Sequence, residues 1–140
     1  MEKYNYKLFK GRWGISITIY GEVFEKKYFN EEYIAVRDNV YLSFSKKPLL
    51  KNELFCEEDR NAIFKALNMV AEDITLHTQF CDGTVIQICS LQYSLCYYQE
   101  EAMVVAMLNW CSRAFGFKLE DIESKFDYNL NKYVFNISAR

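Results

Sequence analysis

The 140-residue sequence is poor in three residue types on which many sites and folds depend. It has one histidine, which narrows the choice of imidazole bases and metal ligands. Its five glycines are scattered and form neither GxGxxG nor GxxxxGK[ST], so no phosphate-binding loop is predicted. One proline, with 51% apolar and 26% charged residues, is typical of a packed globule and not of a disordered chain. We therefore expect one domain over residues 1–140 that needs no disulfide or metal support.

Long apolar runs and an excess of basic charge are also missing. No stretch approaches 18 uninterrupted apolar residues, and the N-terminal sequence has no apolar signal-peptide core, so we expect a cytoplasmic protein with no membrane span. The net charge of −2 and the pI of about 5.5 give the chain no overall positive charge with which to bind nucleic acid. This acidic balance favours a basic partner. The stretch from Lys7 to Trp13 has three basic and two aromatic residues, which is too few for a nucleic-acid-binding surface. It is interpreted as an exposed segment that leads into a strand.

The five cysteines are odd in number and contain neither a CxxC pair nor a histidine at zinc-ligand spacing. No metal or other cofactor is therefore predicted, and the thiols are expected to be free, as in a reducing cytoplasm. Cys89, Cys96 and Cys111 lie in apolar periodic segments and are expected in the core. Cys81, in the turn sequence QFCDG, is interpreted as the one accessible candidate nucleophile, and His77 as a helix-end residue.

Aromatic residues are abundant, at 17% of the chain with eleven Tyr and eleven Phe. The favoured interpretation is a β-rich core, because aromatic side chains fit a half-buried pleated surface. The alternative is a partner surface, where Tyr and Trp concentrate binding energy.

Two segments have the spacing of amphipathic helices, over about residues 57–74 and 99–115. Acidic residues in the first turn of each complement the helix dipole, and Gly116 is expected to end the second. The apolar positions recur at i, i+4, i+7 and i+11: Ile63, Leu67, Val70 and Ile74 in the first helix, and Met103, Met107, Trp110 and Ala114 in the second.

Alternating apolar residues predict several strands. The segment 84–96 is apolar on both faces at its start and is expected to be a central strand. Residues 13–20 are predicted to form a hairpin with VFEKKYF through a turn at Gly21 and Glu22. Asp38 and Asn39 favour a turn within residues 33–45, giving two short strands or one bent strand. A turn at residues 129–131 is expected in a C-terminal hairpin that joins the sheet. The fold class predicted is α+β, a mainly antiparallel sheet packed by two helices.

The junction between the central strand and the second helix carries a resemblance to a known family. Tyr97, Tyr98, Gln99, Glu100 and Glu101 follow an apolar strand and precede a helix with a central Trp. This pattern, over residues 84–137, resembles small bacterial immunity proteins, which are encoded beside polymorphic and contact-dependent growth-inhibition toxins. The resemblance implies a non-enzymatic cytoplasmic protein that neutralises one cognate toxin domain by stoichiometric occlusion, with a nuclease as the leading candidate for the toxin.

A nuclease groove is positive, so an acidic surface competes for it and speeds association. For the acidic residues at the helix starts, the alternative role is stabilisation of the helix dipole. The candidate partner-binding residues are Glu57, Glu58, Asp59, Asp82, Tyr97, Tyr98, Glu100 and Glu101.

Two other functions stay open at this point. The chain is alternatively a small-ligand binding module or small enzyme that uses the pocket between sheet and helices, with Cys81 or His77 as its reactive group. A structural subunit of a larger assembly would need an exposed apolar patch of more than a few hundred Å².

Overall fold

The computed structural model describes residues 1–47, 55–93 and 99–137, and its fold is α+β, as predicted. The elements follow in chain order: β1 (Glu2–Phe9), β2 (Gly14–Glu25), a 3₁₀ turn (Lys26–Tyr28), β3 (Ile34–Arg37), β4 (Val40–Phe44), α1 (Glu57–Leu76), β5 (Thr84–Tyr93), α2 (Glu100–Phe115), β6 (Glu123–Asp127) and β7 (Lys132–Asn136). None of the helices in these ranges is both long and apolar enough to cross a bilayer.

The first five strands form a sheet in the order β1-β2-β5-β4-β3. The pairs β1–β2, β2–β5 and β3–β4 are antiparallel, whereas β4 and β5 run parallel with α1 as their crossover. The prediction that β5 is a central strand is confirmed. Its first eight residues, from Thr84 to Leu91, are all buried, as expected for a strand with neighbours on both sides and cover on both faces.

The two predicted helices are confirmed, with α1 two residues longer at its C-terminus and α2 one residue shorter at its N-terminus. They pack against each other and against the sheet, and every residue of α2 from Ala102 to Leu108 is buried. Gly116 ends α2 in the left-handed conformation at φ 76°, which a glycine adopts without a Cβ clash.

The predicted turn at Gly21 is wrong, because β2 continues through it to Glu25 and pairs with the unpredicted strand β1 instead. Gly21 lies at a register shift between β2 and β5. A Cβ at this position would lie 2.6 Å from Cζ2 of Trp110 on α2. The glycine therefore serves helix packing rather than chain reversal.

The turn at Asp38 and Asn39 is confirmed, with both residues at positive φ (50° and 62°) between two short strands. The C-terminal hairpin also forms, but the expectation that it joins the main sheet is wrong. β6 and β7 make a separate two-stranded sheet, held by the buried ring of Tyr133 against Trp13 and Phe126 at centroid distances of 5.0 Å.

Candidate functional site

The fold brings the starts of both helices to one end of the molecule. α1 follows the C-terminal end of β4 and α2 follows the C-terminal end of β5, and these two strands are parallel neighbours. Glu57 and Glu58 in the first turn of α1 and Glu100 and Glu101 in the first turn of α2 are all exposed. We call these four residues the helix-start glutamates. The sequence placed each pair on a helix, and the parallel pairing of β4 and β5 places both pairs at the same end.

The two pairs differ in their surroundings. Glu100 and Glu101 line a cavity of about 390 Å³ together with Lys65 of α1. The Lys65 ammonium therefore offsets part of their negative potential. Glu57 and Glu58 precede Arg60 by three and two positions on their own helix.

Asp82 lies away from the helix-start glutamates. It precedes the ten-residue strand β5, whose C-terminal end leads toward α2, so about 33 Å of strand separates it from that end. Its charge acts on Lys26, whose pKa is raised mainly by a hydrogen bond with the Tyr41 hydroxyl and further by Tyr33 and Asp82. An acidic surface that includes both Asp82 and the helix starts is therefore not formed.

Asp59 was predicted on the partner surface, and this is corrected by its burial, with only 2% of its surface exposed. The Tyr93 hydroxyl at the end of β5 donates a hydrogen bond of 2.7 Å to Asp59 Oδ2. Burial raises the pKa of Tyr93, and the bond to the Asp59 carboxylate raises it further. Position 59 faces the sheet because it is one turn before the buried Ile63 on the same stripe. Its carboxylate is therefore a structural group that joins α1 to β5.

Tyr97 and Tyr98 lie outside the described residues. The next residue of the junction, Gln99, is the N-cap of α2, and its side chain bonds to the backbone of Tyr133 in the C-terminal hairpin. The junction sequence therefore has a structural role at Gln99, in addition to the exposed carboxylates that follow it.

A cleft of about 680 Å³ opens between the edge strand β3 with its neighbour β4 and the first half of α1. Arg60 is held in it by a 2.9 Å hydrogen bond from Nε to the Phe55 carbonyl and by the Phe44 ring, 4.5 Å from its guanidinium carbon. We call it the β4–α1 cleft. Its lining residues are Glu31, Glu32, Tyr33, Ile34, Leu42, Ser43, Phe44, Ser45, Lys46, Phe55, Arg60, Asn61 and Phe64.

Sequence reasoning missed this cleft. The local pattern of residues 31–34 gives no sign of a site, and Arg60 carries no signal beyond its place on the polar side of a helix. The cleft depends on the order β5-β4-β3, which sets residues 31–34 opposite α1, and strand order is not readable from local periodicity.

The thiols and the histidine do not form a reactive group in the described residues. Cys89 and Cys111 are buried as predicted, and Cys96 lies outside the described residues. Cys81 is exposed as predicted, but it is not the one accessible thiol, because Cys56 is exposed too, at the N-cap of α1.

His77 is the exposed C-cap of α1, with Nδ1 2.8 Å from the Asp73 carbonyl, as expected for a helix end. Neither Cys81 nor His77 lines the β4–α1 cleft, the cavity at Glu100 and Glu101, or the cavity beside Gly14 between β1 and β2. Within residues 1–47, 55–93 and 99–137, no group of three or more His, Cys, Asp or Glu side chains is arranged to hold a metal ion.

Comparisons with protein-family models, with curated proteins and with solved structures give no significant match to this chain.

Proposed function

We propose that this chain is a cytoplasmic immunity protein that binds one basic toxin domain and blocks it by stoichiometric occlusion. The single observation that carries the proposal is the grouping of the four helix-start glutamates, all exposed, at one end of the fold. The resemblance of residues 84–137 to immunity proteins of growth-inhibition systems supplies the functional class. A nuclease is the favoured toxin, because its substrate groove must be positive to hold phosphates.

In this mechanism the carboxylates steer the toxin before contact and then occupy its phosphate-binding surface. Exposed charges act mainly on the association rate, whereas apolar and aromatic contacts govern residence time. Glu57 and Glu58 are expected to contribute more than Glu100 and Glu101, because Lys65 lies beside the second pair. Tyr97 and Tyr98 are proposed as anchors that slow dissociation.

Growth rescue tests the functional class. The neighbouring upstream reading frame is sequenced first, and a toxin-like domain found there is expressed in a sensitive host with and without the chain. Rescue is expected at equimolar expression. Undiminished killing in the presence of folded chain argues against an immunity function.

The salt dependence of association tests the mechanism. Raising the salt from 0.1 to 1 M shortens the Debye length from about 10 Å to about 3 Å and should slow association markedly, with a smaller change in dissociation. Glu57→Lys with Glu58→Lys should lower the on-rate about tenfold, while the matched reversal Glu120→Lys with Asp121→Lys, also at exposed positions, should leave it nearly unchanged. If the on-rate does not change with salt or with the reversal of Glu57 and Glu58, these residues do not steer the toxin. Their role is then limited to stabilising the helix dipole.

The small-ligand alternative keeps one supporting observation, the size of the β4–α1 cleft, which lies in the range of about 300–1,000 Å³ usual for ligand pockets. The geometry gives no support to Cys81 or His77 as its reactive group, since neither lines the cleft.

A further inference from the structure

The β4–α1 cleft has an apolar floor that is large enough to receive a side chain from a partner. Leu42 is 1% exposed, and three half-buried phenylalanines line the cleft with it: Phe44, Phe55 and Phe64. The Phe44 and Phe55 rings pack 5.2 Å apart. An apolar side chain inserted here would contact aromatic rings on more than one side, and these contacts would remove its apolar surface from water.

Two exposed apolar residues, Tyr33 and Ile34, are among those that line the cleft. Tyr33 is 39% exposed and Ile34 is 53% exposed. The Tyr33 ring is held by edge contacts with Tyr41 at 5.3 Å and Phe29 at 6.1 Å. A preorganised aromatic side chain loses little conformational entropy on binding and is a frequent interface anchor.

The main chain at the rim is also fixed and open to a partner. The Ser43 hydroxyl donates a 2.7 Å hydrogen bond to the Glu32 carbonyl, which ties the rim to β4. β3 is the last strand on its side of the described sheet, so its outer edge has no strand partner among the described residues. An open edge beside an apolar cleft favours an extended polypeptide segment over an enclosed small molecule.

The charged residues around the cleft determine whether it favours a basic or an acidic partner. Glu31 and Glu32 line one side, and Glu57 and Glu58 lie between the lining residues Phe55 and Arg60 on the other; all four glutamates are exposed. The opposing cations are Arg60, fixed over the Phe44 ring, and Lys46, which pairs with Glu32 at 3.2 Å in an exposed geometry. Lys47, the exposed neighbour of Lys46, is a third cation, so four carboxylates against three cations leave the mouth with a small acidic excess.

We propose that the β4–α1 cleft is the partner-contact face, and that it takes a basic polypeptide segment of the toxin domain with one large apolar side chain inserted between the phenylalanine rings. The proposal rests on the proposed function for the identity of the partner, and it adds Glu31, Glu32, Tyr33 and Ile34 to the contact. Glu57 and Glu58 then act at the mouth of the same face.

The binding experiment uses the 140-residue chain and the candidate toxin domain identified beside its gene. Tyr33→Ala and Ile34→Ala should each weaken binding about tenfold, mainly through the off-rate. The matched control is Leu76→Ala, because Leu76 is 72% exposed on the last turn of α1, away from the cleft. Glu31→Lys with Glu32→Lys should lower the on-rate about tenfold, while Glu120→Lys with Asp121→Lys should not. Folding of each variant is checked by its urea unfolding midpoint.

The outcomes separate the two proposals. Tight toxin binding that none of the cleft variants changes would overturn the cleft and leave the immunity function standing. If the wild-type chain binds no toxin, a nine-residue peptide with one Phe between two pairs of Lys is titrated while amide shifts are followed by NMR.

Shifts confined to residues 31–34, 42–46 and 55–64, and lost when the Phe is replaced by Gly or the Lys by Glu, would uphold the cleft as a basic-segment site. Absent or scattered shifts would overturn it. Tighter binding of 3-phenylpropionate than of the peptide would also overturn it in favour of a small-ligand site.

Discussion

Gln99 and Tyr133 exchange two hydrogen bonds that join the start of α2 to the C-terminal hairpin. Gln99 Nε2 donates to the Tyr133 carbonyl at 2.9 Å, and the Tyr133 amide donates to Gln99 Oε1 at 2.8 Å. The Tyr133 hydroxyl in turn donates to the Trp13 carbonyl at 2.6 Å and accepts from the Lys10 amide at 2.8 Å. Tyr133 thus connects the first hairpin, α2 and the last hairpin.

Replacing Gln99 with Ala should lower the free energy of unfolding by about 2 kcal/mol, because two partly buried hydrogen bonds at about 1 kcal/mol each are lost. Gln99→Glu keeps the acceptor but sets a carboxylate oxygen against the Tyr133 carbonyl, so at neutral pH it should cost at least as much. Gln79→Ala, at an exposed position, is the control. Urea unfolding and hydrogen exchange at the Tyr133 amide measure the effect, and unchanged exchange in Gln99→Ala would contradict the assigned pair.

Gly21→Ala should destabilise the fold by about 1–3 kcal/mol, because the new methyl group would press on the Trp110 ring, which is 1% exposed and has no room to move. Gly14→Ala is a matched control. Its Cβ would meet the Phe9 ring at 2.7 Å, but Phe9 is 75% exposed and can turn away. Equal losses of thermal stability in the two variants would show that ring confinement is not the cause.

The described thiols should fall into two reactivity classes. Cys56 and Cys81 are exposed and should label rapidly with N-ethylmaleimide in native buffer. Cys89 and Cys111 should label slowly, because burial raises the pKa of Cys89 to about 11 and also raises that of Cys111. Peptide mass spectrometry reads each site separately, with a guanidinium-denatured sample as the reference for full reactivity. Native labelling of Cys111 at the denatured rate would refute its core position.

Stability should fall as the pH rises above about 9. Burial raises the pKa of Cys89 from 9.0 to about 11 and that of Tyr6 from 10.0 to about 12, and it raises those of Cys111 and Tyr93 as well. These groups lose their protons at lower pH in the unfolded chain than in the folded one, so their contribution is fully present below the unfolded pKa and is lost above it.

Urea midpoints between pH 7 and pH 11 measure this dependence. Tyr6→Phe should make the decline shallower, whereas Tyr28→Phe, at a 75% exposed position, should not change it. A flat midpoint across this range would contradict the burial of these groups.

Local sequence pattern was sufficient for the elements whose stability depends on near neighbours. The i, i+4 and i+7 apolar spacing predicted α1 and α2 to within two residues, and the Asp38–Asn39 pair predicted its turn, because few residue types adopt positive φ at low cost. The same information placed Glu57, Glu58, Glu100 and Glu101 in first turns. It also predicted the buried thiols at Cys89 and Cys111.

Other features depend on contacts between residues that are far apart in the chain, and only the tertiary structure decided them. Gly21 has the local signature of a turn, but pairing with β1 and β5 continues the strand through it, and the Trp110 ring leaves no room for a side chain there. Asp59 has the signature of a solvated helix-start acid, yet it is buried, and the Tyr93 hydroxyl from β5 donates a hydrogen bond to one of its two oxygens. The grouping of the helix-start glutamates and the β4–α1 cleft likewise follow from strand order and the parallel pairing of β4 with β5. Periodicity specifies which face of an element is apolar, but not which neighbour covers that face.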